Sequence, residues 1–431
     1  MLHVPRSDLA PSEALADPGD ERPWPLSPMQ ERIAVIERLE RGSPLNNAPF
    51  LLCLTGPLDA SLLTAALHHI VQRHDALRLR IVDEPGRGFG MVLHTEAGPC
   101  LEHVDLSGLA MGDGEAHCRA AAEAEAKRPF DIECDPLMRA VLYRLSGDRH
   151  FLFLNWHHII IDGRSINIIL REMAQVYAAL RAGAEPVLPP PPHRFREFSG
   201  RRCKRADDGA DQRRAWWRQH LTVTPHSFDL PSDRPAAAAR SYRGAAVDLV
   251  LPGALVDGLR RVGQRHGTSL FAVLLAGYAL VAARWRGDGD AVIGVVASGR
   301  TSDDMADLVG VFLNLLPLRV DVAAQASLGQ LLDAVAEHLR AGVRHQDMPL
   351  EDILGAAAGG RGAAVPQMAI NYRSYDISAF TALGLTASIR RLQTDTALFP
   401  LGLVAEKWGD ELHVYLEYST EMFDAATIER L

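Results

Sequence analysis

Apolar residues recur along this chain in two rhythms. Residues 50–54 and 151–154 are short uninterrupted apolar runs, and 291–297 is nearly one; each predicts a buried strand. Residues 411–419 alternate apolar and polar side chains, which predicts a strand with one face exposed. A helical spacing runs from Asp59 to about Ala76, with Leu62, Leu63, Ala66, Leu67, Ile70 and Val71 on one face. It returns from Ser165 to about Leu180 through Ile166, Ile169, Leu170, Met173, Val176, Tyr177 and Leu180. Residues 255–285 carry two more helical patterns, the second apolar enough to be predicted central. The expected fold class is α/β, in the mixed α+β sense.

Residues that break the pattern divide it. Ser27 before Pro28 reads as a helix N-cap followed by the first helical residue. Residues 1–23 are acidic, contain proline and lack periodicity, which predicts a flexible leader. Residues 85–114 predict a variable stretch, followed by an Ala/Glu-rich helix to about Lys127. Four prolines at 189–192 cannot continue a helix and favour an extended segment. The expected organisation is therefore a leader (1–23), a first lobe (24–188) and a second lobe (189–431).

Composition narrows the function. At 431 residues, 47% hydrophobic and 23% charged, the chain can fill two ordinary cores and is not of disordered composition. The net charge of −9 argues against nucleic acid as a partner, although a local basic patch remains compatible with an acidic protein. Cys53, Cys100, Cys118, Cys134 and Cys203 lack CxxC spacing and read as reduced, mostly buried thiols, so a cytoplasmic location is expected. No run of eighteen apolar residues and no basic-then-apolar N-terminus occurs, so neither a membrane span nor export is expected.

The candidate chemistry sits at 157–163, His-His-Ile-Ile-Ile-Asp-Gly, between the 151–154 strand and the helix from Ser165. Histidine titrates nearest neutrality, so one imidazole here can take the proton that an attacking amine or hydroxyl loses. Asp162 can either orient that imidazole or hold the loop through a buried ion pair. Gly163 leaves room for close approach to the backbone, whose N–H can face an oxyanion. Metal binding is set aside: neighbours in an extended segment point to opposite sides, and no Cys/His cluster of zinc spacing supplies further ligands. His68-His69 and His74 lie in or at the end of a helical pattern and read as solvated surface.

This stretch resembles the HHxxxDG signature of condensation domains from nonribosomal peptide synthetases, and further segments agree in order. Ser27, Gln30 and Arg32 match Ser-x-x-Gln-x-Arg, and residues 73–78 resemble RHExLR with Asp75 for Glu. Residues 129–139 resemble PFDL…GPLLR, 230–235 resemble LPTDRP, 309–319 resemble GxFVNTLPLR, 345–351 resemble HQDxPFE, and 368–372 resemble the FNY strand. Departures are Phe195–Phe198 in place of YxDY, a strand ending Ala297-Ser298-Gly299-Arg300 without the usual proline, and Phe399-Pro400-Leu401 in place of FDL.

The resemblance implies two chloramphenicol-acetyltransferase-like lobes in a V-shaped pseudodimer with the active site at their junction. It implies His158 as the residue contacting the acceptor and His157 as a packing or hydrogen-bonding residue. Asp162 would be ion-paired to Arg300, and Gly163, Ser298 and Asn314 would line the substrate tunnel. Donor and acceptor carrier proteins would bring substrates on 4'-phosphopantetheine arms, which are not cofactors of this chain, and a monomer is expected. The implied reaction joins an acyl or peptidyl thioester to an amine. An ester-forming reaction on a hydroxyl and a non-catalytic recruitment domain are the alternatives. The motifs at 314–319 and 345–351 argue against an acyltransferase using coenzyme A, Ile166-Asn167 against epimerisation, and the two histidines against heterocyclisation. Met1 and the leader favour a chain-initiating or stand-alone position.

Overall fold

The computed structural model describes residues 23–431 except 85, 87, 95–99, 192, 205–208, 222–229, 236–239, 250, 288, 359–364 and 410. Apart from Pro23, the leader expected at 1–23 lies outside the described residues. The first half runs β1 (Trp24–Pro25), α1 (Pro28–Leu39), β2 (Asn47–Thr55), α2 (Ala60–Arg73), β3 (Leu79–Glu84), β4 (Gly88–Leu93), β5 (Leu101–Asp105), α3 (Met111–Lys127), β6 (Met138–Arg144), β7 (Arg149–His157) and α4 (Gly163–Arg181). The second opens with α5 (Phe195–Lys204), α6 (Ala210–Leu221), β8 (Gly244–Leu249), α7 (Gly253–Arg265), α8 (Leu270–Arg286), β9 (Asp290–Ala297), β10 (Asn314–Asp321) and α9 (Leu328–Arg344). It closes with α10 (Leu350–Ala358), β11 (Met368–Tyr375), α11 (Ser378–Thr381), β12 (Thr386–Arg390), β13 (Leu401–Trp408), β14 (Glu411–Ser419) and α12 (Ala425–Arg430).

Each half is built on a mixed sheet. In the first, the order is β12-β2-β7-β6-β5, with β7 antiparallel to both its neighbours. β7 is buried from His150 to His157, as its continuous apolar run requires of a strand covered on both faces. In the second, the order is β10-β9-β11-β13-β14-β8, with β11 parallel to β9 and β13. The densely apolar α8 packs on that sheet, its Ala272, Leu275, Ala276, Ala279 and Ala282 buried among Ile293, Ile370 and Leu416. A small sheet, β1-β4-β3, flanks the first lobe.

One strand crosses between the halves. β12 pairs antiparallel with β2, Thr386 opposite Thr55 and Arg390 opposite Leu51, although it follows the proline run by nearly two hundred residues. The apolar cluster of the first lobe likewise takes in Phe195, Leu308, Phe312, Tyr375, Phe380 and Ile389 from the second half. The division at 189 thus remains a proposal, and β12 is a segment beyond it that completes the first sheet.

Three expectations change. The variable stretch at 85–114 contains β4 and β5; β4 is rich in glycine and β5 is largely exposed, so neither carries an apolar rhythm. His74 is buried, its Nε2 2.9 Å from Glu172 Oε2, which also binds Arg73, because the end of α2 packs against α4 and not against solvent. Of the described cysteines, Cys53 and Cys118 are buried but Cys100 and Cys134 are exposed. No single helix among the described residues is long and apolar enough to cross a membrane.

α1 starts with a complete capping box: Ser27 Oγ accepts from the Gln30 N–H, and Gln30 Oε1 accepts from the Ser27 N–H. Gln30 is wholly buried, and its Nε2 donates to the Ile159 carbonyl in the signature loop at 3.1 Å. Ser27→Ala is expected to lower unfolding free energy by about 1 kcal/mol, measured by urea titration. No change would show that the cap does not hold α1.

Candidate active site

The signature loop is where β7 ends and α4 begins. His157 is the last residue of β7 and His158 the first beyond it, so their side chains leave on opposite sides. His157 is buried beneath the loop. Its Nε2 lies 3.1 Å from Glu37 Oε1, its Nδ1 accepts from the Ile159 N–H at 3.3 Å, and its ring meets Phe130 edge-on. The Asn46 carbonyl accepts the His158 N–H at 2.7 Å, and the His157 carbonyl accepts that of Ile160 at 3.1 Å. These bonds place the His158 ring in a cavity of about 380 Å³ between the two lobes.

Burial pushes the His158 imidazole below its ordinary value, with Arg373 adding to the effect and Asp162 opposing it. Its Nδ1 is shut off from solvent with no hydrogen-bond partner. Burial thus favours the neutral ring, the form that can accept a proton.

Asp162 turns away from His158 and serves two structures at once. It is the N-cap of α4, where Oδ1 accepts from the Ser165 N–H at 2.8 Å. The same carboxylate accepts from Arg300 Nη2 at 3.0 and 3.1 Å and from the Phe312 N–H at 3.3 Å. Arg300 is 7% exposed and Asp162 1%, so this is a buried pair. Arg300 Nη1 donates to the carbonyls of Met305 and Leu308, and its guanidinium lies 4.1 Å over the Phe312 ring. Ser165 Oγ accepts from Arg300 and the Gly310 N–H, and has one proton to give to either Asp162 or the Gly310 carbonyl. Gly299 makes the turn before Arg300 possible: its φ is +64°, and a Cβ there would lie 1.7 Å from the Phe312 carbonyl oxygen.

Of the residues singled out above, His158, Asp162, Gly163 and Ser298 line the cavity, whereas His157, Arg300 and Asn314 do not. Asn314 faces the 345–351 loop. Its amide is buried and donates to the carbonyls of Gln346 and Met348 at 2.8 and 2.6 Å, so its nitrogen is committed to the 345–351 loop. That loop in turn holds the Arg300 turn, since Gln346 Oε1 accepts from the Gly299 N–H at 3.0 Å.

A polar wall was missed. Arg373 on β11, Glu406 on β13, and Tyr415 and Glu417 on β14 line the cavity opposite β2. Arg373 donates to Tyr415 Oη at 2.7 Å and lies 2.7 Å from Glu406 Oε1, its direct neighbour across the parallel strands. Its side chain passes over Gly163, with Cγ 3.9 Å from where a Cβ would stand. Burial raises the Glu417 carboxyl, and Arg373 and Arg391 partly offset it. The signal was present: Asn371 and Arg373 alternate with apolar residues on a strand buried among other strands, where both faces should read as apolar. Among the described residues no three His, Cys, Asp or Glu side chains converge as a metal site would need.

A family model described as the condensation domain matches residues 20–431. Malpibaldin synthetase from Mortierella alpina is 32% identical over 412 residues, covering 95% of this chain; the chain spans only 7% of that protein's length. Among solved structures, the first condensation domain of the calcium-dependent antibiotic synthetase, in complex with a substrate analogue, superposes with a TM-score of 0.78 at 23% identity, covering 95% of this chain and 94% of the other. The X-domain from teicoplanin biosynthesis does so with a TM-score of 0.78 at 23% identity, covering 97% and 94%. These likenesses show a fold of two chloramphenicol-acetyltransferase-like lobes.

Removing one partner of the buried pair strands the other charge. Asp162→Ala is expected to cost about 3–5 kcal/mol of unfolding free energy, with part recovered in an Asp162→Leu, Arg300→Met double variant, both read from urea unfolding. A loss below about 1 kcal/mol, the range of exposed pairs, would show that Arg300 finds solvent instead.

Proposed function

The chain belongs to the condensation-domain family of the nonribosomal peptide synthetases, and on that premise we propose that it joins a carrier-bound acyl or peptidyl thioester to an amine, forming an amide. The observation that carries this reading is His158: an imidazole with its charge suppressed by burial, on the wall of a cavity between two lobes. In the proposed reaction the amine nitrogen attacks the thioester carbonyl carbon, the C–S bond breaks, and the thiol of the phosphopantetheine arm leaves. His158 takes the proton the nitrogen sheds, through Nε2, since Nδ1 is closed off, and hands that proton to the departing sulfur, so that it leaves as the thiol and the ring returns to neutral. Gly163, the first residue of α4, would offer its N–H and the positive end of the helix to the oxyanion. Asp162 is assigned to structure, because its carboxylate is occupied by Arg300, Ser165 and Phe312.

The likeness to an X-domain keeps a second reading in play, that of a recruitment domain without chemistry, since the shared fold does not separate the two. His158 favours catalysis, because a docking surface has no use for a neutral imidazole at the wall of a cavity.

The nucleophile decides how much His158 matters. An α-amine, of reference pKa about 8, is partly neutral at pH 7 and attacks unaided, losing its proton afterwards. A hydroxyl must lose its proton in step with attack. His158→Ala is therefore expected to nearly abolish ester formation and to leave slow amide formation, tested by intact mass with a carrier-loaded donor and matched amine and hydroxyl acceptors. Equal losses would remove the base role; no product from the unaltered protein, with carrier binding retained, would favour recruitment.

The pH dependence has a definite sign. His158 has a folded value below the ordinary 6.5, so the neutral base persists below that pH. With a hydroxyl acceptor, which does not itself titrate there, the acid limb of kcat/KM is expected to fall below pH 6.5. A limb above 6.5 would contradict the burial effect.

A further inference from the structure

The catalytic ring proposed above is not anchored by its own Nδ1, so its aim depends on the backbone that carries it. That backbone is held from the side away from the substrate. The Ile159 N–H donates to His157 Nδ1, and a ring nitrogen that accepts such a bond carries no proton. The proton of His157 therefore sits on Nε2, which donates to Glu37 Oε1 at 3.1 Å. Glu37 Oε1 also accepts from Asn46 Nδ2 at 2.5 Å, and Asn46 is the residue whose carbonyl takes the His158 N–H. One carboxylate oxygen on α1 thus reaches the peptide groups on both sides of His158.

We propose that Glu37 is a positioning residue for condensation, fixing His157 as the Nε2-protonated tautomer and, through it and Asn46, the direction of the His158 ring. The proposal rests on the reading of His158 as the residue that takes the proton. Without the carboxylate, the His157 Nε2–H is a buried donor with no acceptor. The other tautomer would satisfy Nε2 only by setting a proton at Nδ1 against the Ile159 N–H, so the turn loses that support either way. Glu37 also lines a separate cavity of about 330 Å³, with Ala34, Phe89 and Phe130, on the face that does not hold the substrate. A small carboxylate can therefore reach the place of a truncated Glu37 without competing for the active site.

The test compares Glu37→Ala and Glu37→Gln with the unaltered protein, using a carrier-loaded donor and an amine acceptor, with urea midpoints recorded for each. Nitrogen-15 NMR of histidine-labelled protein reads the His157 tautomer directly. For Glu37→Ala, kcat is expected to fall about 10–100-fold with KM within about twofold, as for a displaced catalytic group. Added formate should restore much of the rate in Glu37→Ala and none in His158→Ala, and Glu37→Gln, which keeps an acceptor oxygen, should retain most of it. A role in stability alone predicts a lower urea midpoint with kcat unchanged, and that result would overturn the proposal. So would an absence of formate rescue, a Gln variant as impaired as the Ala variant, or a His157 ring protonated at Nδ1. If the unaltered protein forms no bond, the reading of His158 fails, while the NMR still judges the link between Glu37 and His157 on its own.

Discussion

Asp162 is the point at which the two lobes become one site. Its carboxylate begins α4, neutralises Arg300 and accepts a backbone bond beside Phe312, so the end of the first lobe's central strand and the turn after β9 share one anchor. A buried ion pair of this kind gains little net stability over a well-packed apolar substitute, because both ions had to leave water. What it supplies is register. Arg300 Nη2 reaches both carboxylate oxygens and Nη1 reaches two carbonyls, so the guanidinium has one orientation in which its bonds are made. Gly299, Gln346 and Asn314 are arranged around that orientation, and their polarity is explained by it without reference to a substrate.

The consequence for His158 is electrostatic as well as geometric. With Asp162 committed to Arg300, the imidazole has no carboxylate bonded to it that would favour its charged form. Arg373 lies on the opposite wall and adds to the pressure of burial. Glu406 and Tyr415 hold that guanidinium in place. The β11-β13-β14 sheet is therefore two-faced. Ile370, Leu403 and Leu416 pack in the core shared with α8, while Arg373, Glu406 and Glu417 turn to the cavity.

How much of this was legible in the sequence follows from the distance over which each contact acts. Ser27 and the long strands of the sheet centres announce themselves through neighbours a few residues away. The HHxxxDG stretch did so too, because strand, loop and helix are contiguous there. The bonds of Asn314 to the 345–351 loop are not legible, because a polar residue inside a motif looks the same whether it faces a ligand or a carbonyl. Glu37 and His157 are 120 residues apart, and no local pattern signals that an acidic residue in a helix is to be buried under a histidine. β12 was invisible for another reason: Thr386–Arg390 has one strongly apolar side chain in five, and its pairing partner is chosen by topology.

That short strand bears on how such a molecule can move. β12 is hydrogen-bonded along β2 for five residues while the chain on either side of it belongs to the other sheet. Drawing the two halves apart would have to part these five paired residues or carry them along, so the strand ties the second half of the chain to the first sheet independently of the Asp162–Arg300 pair.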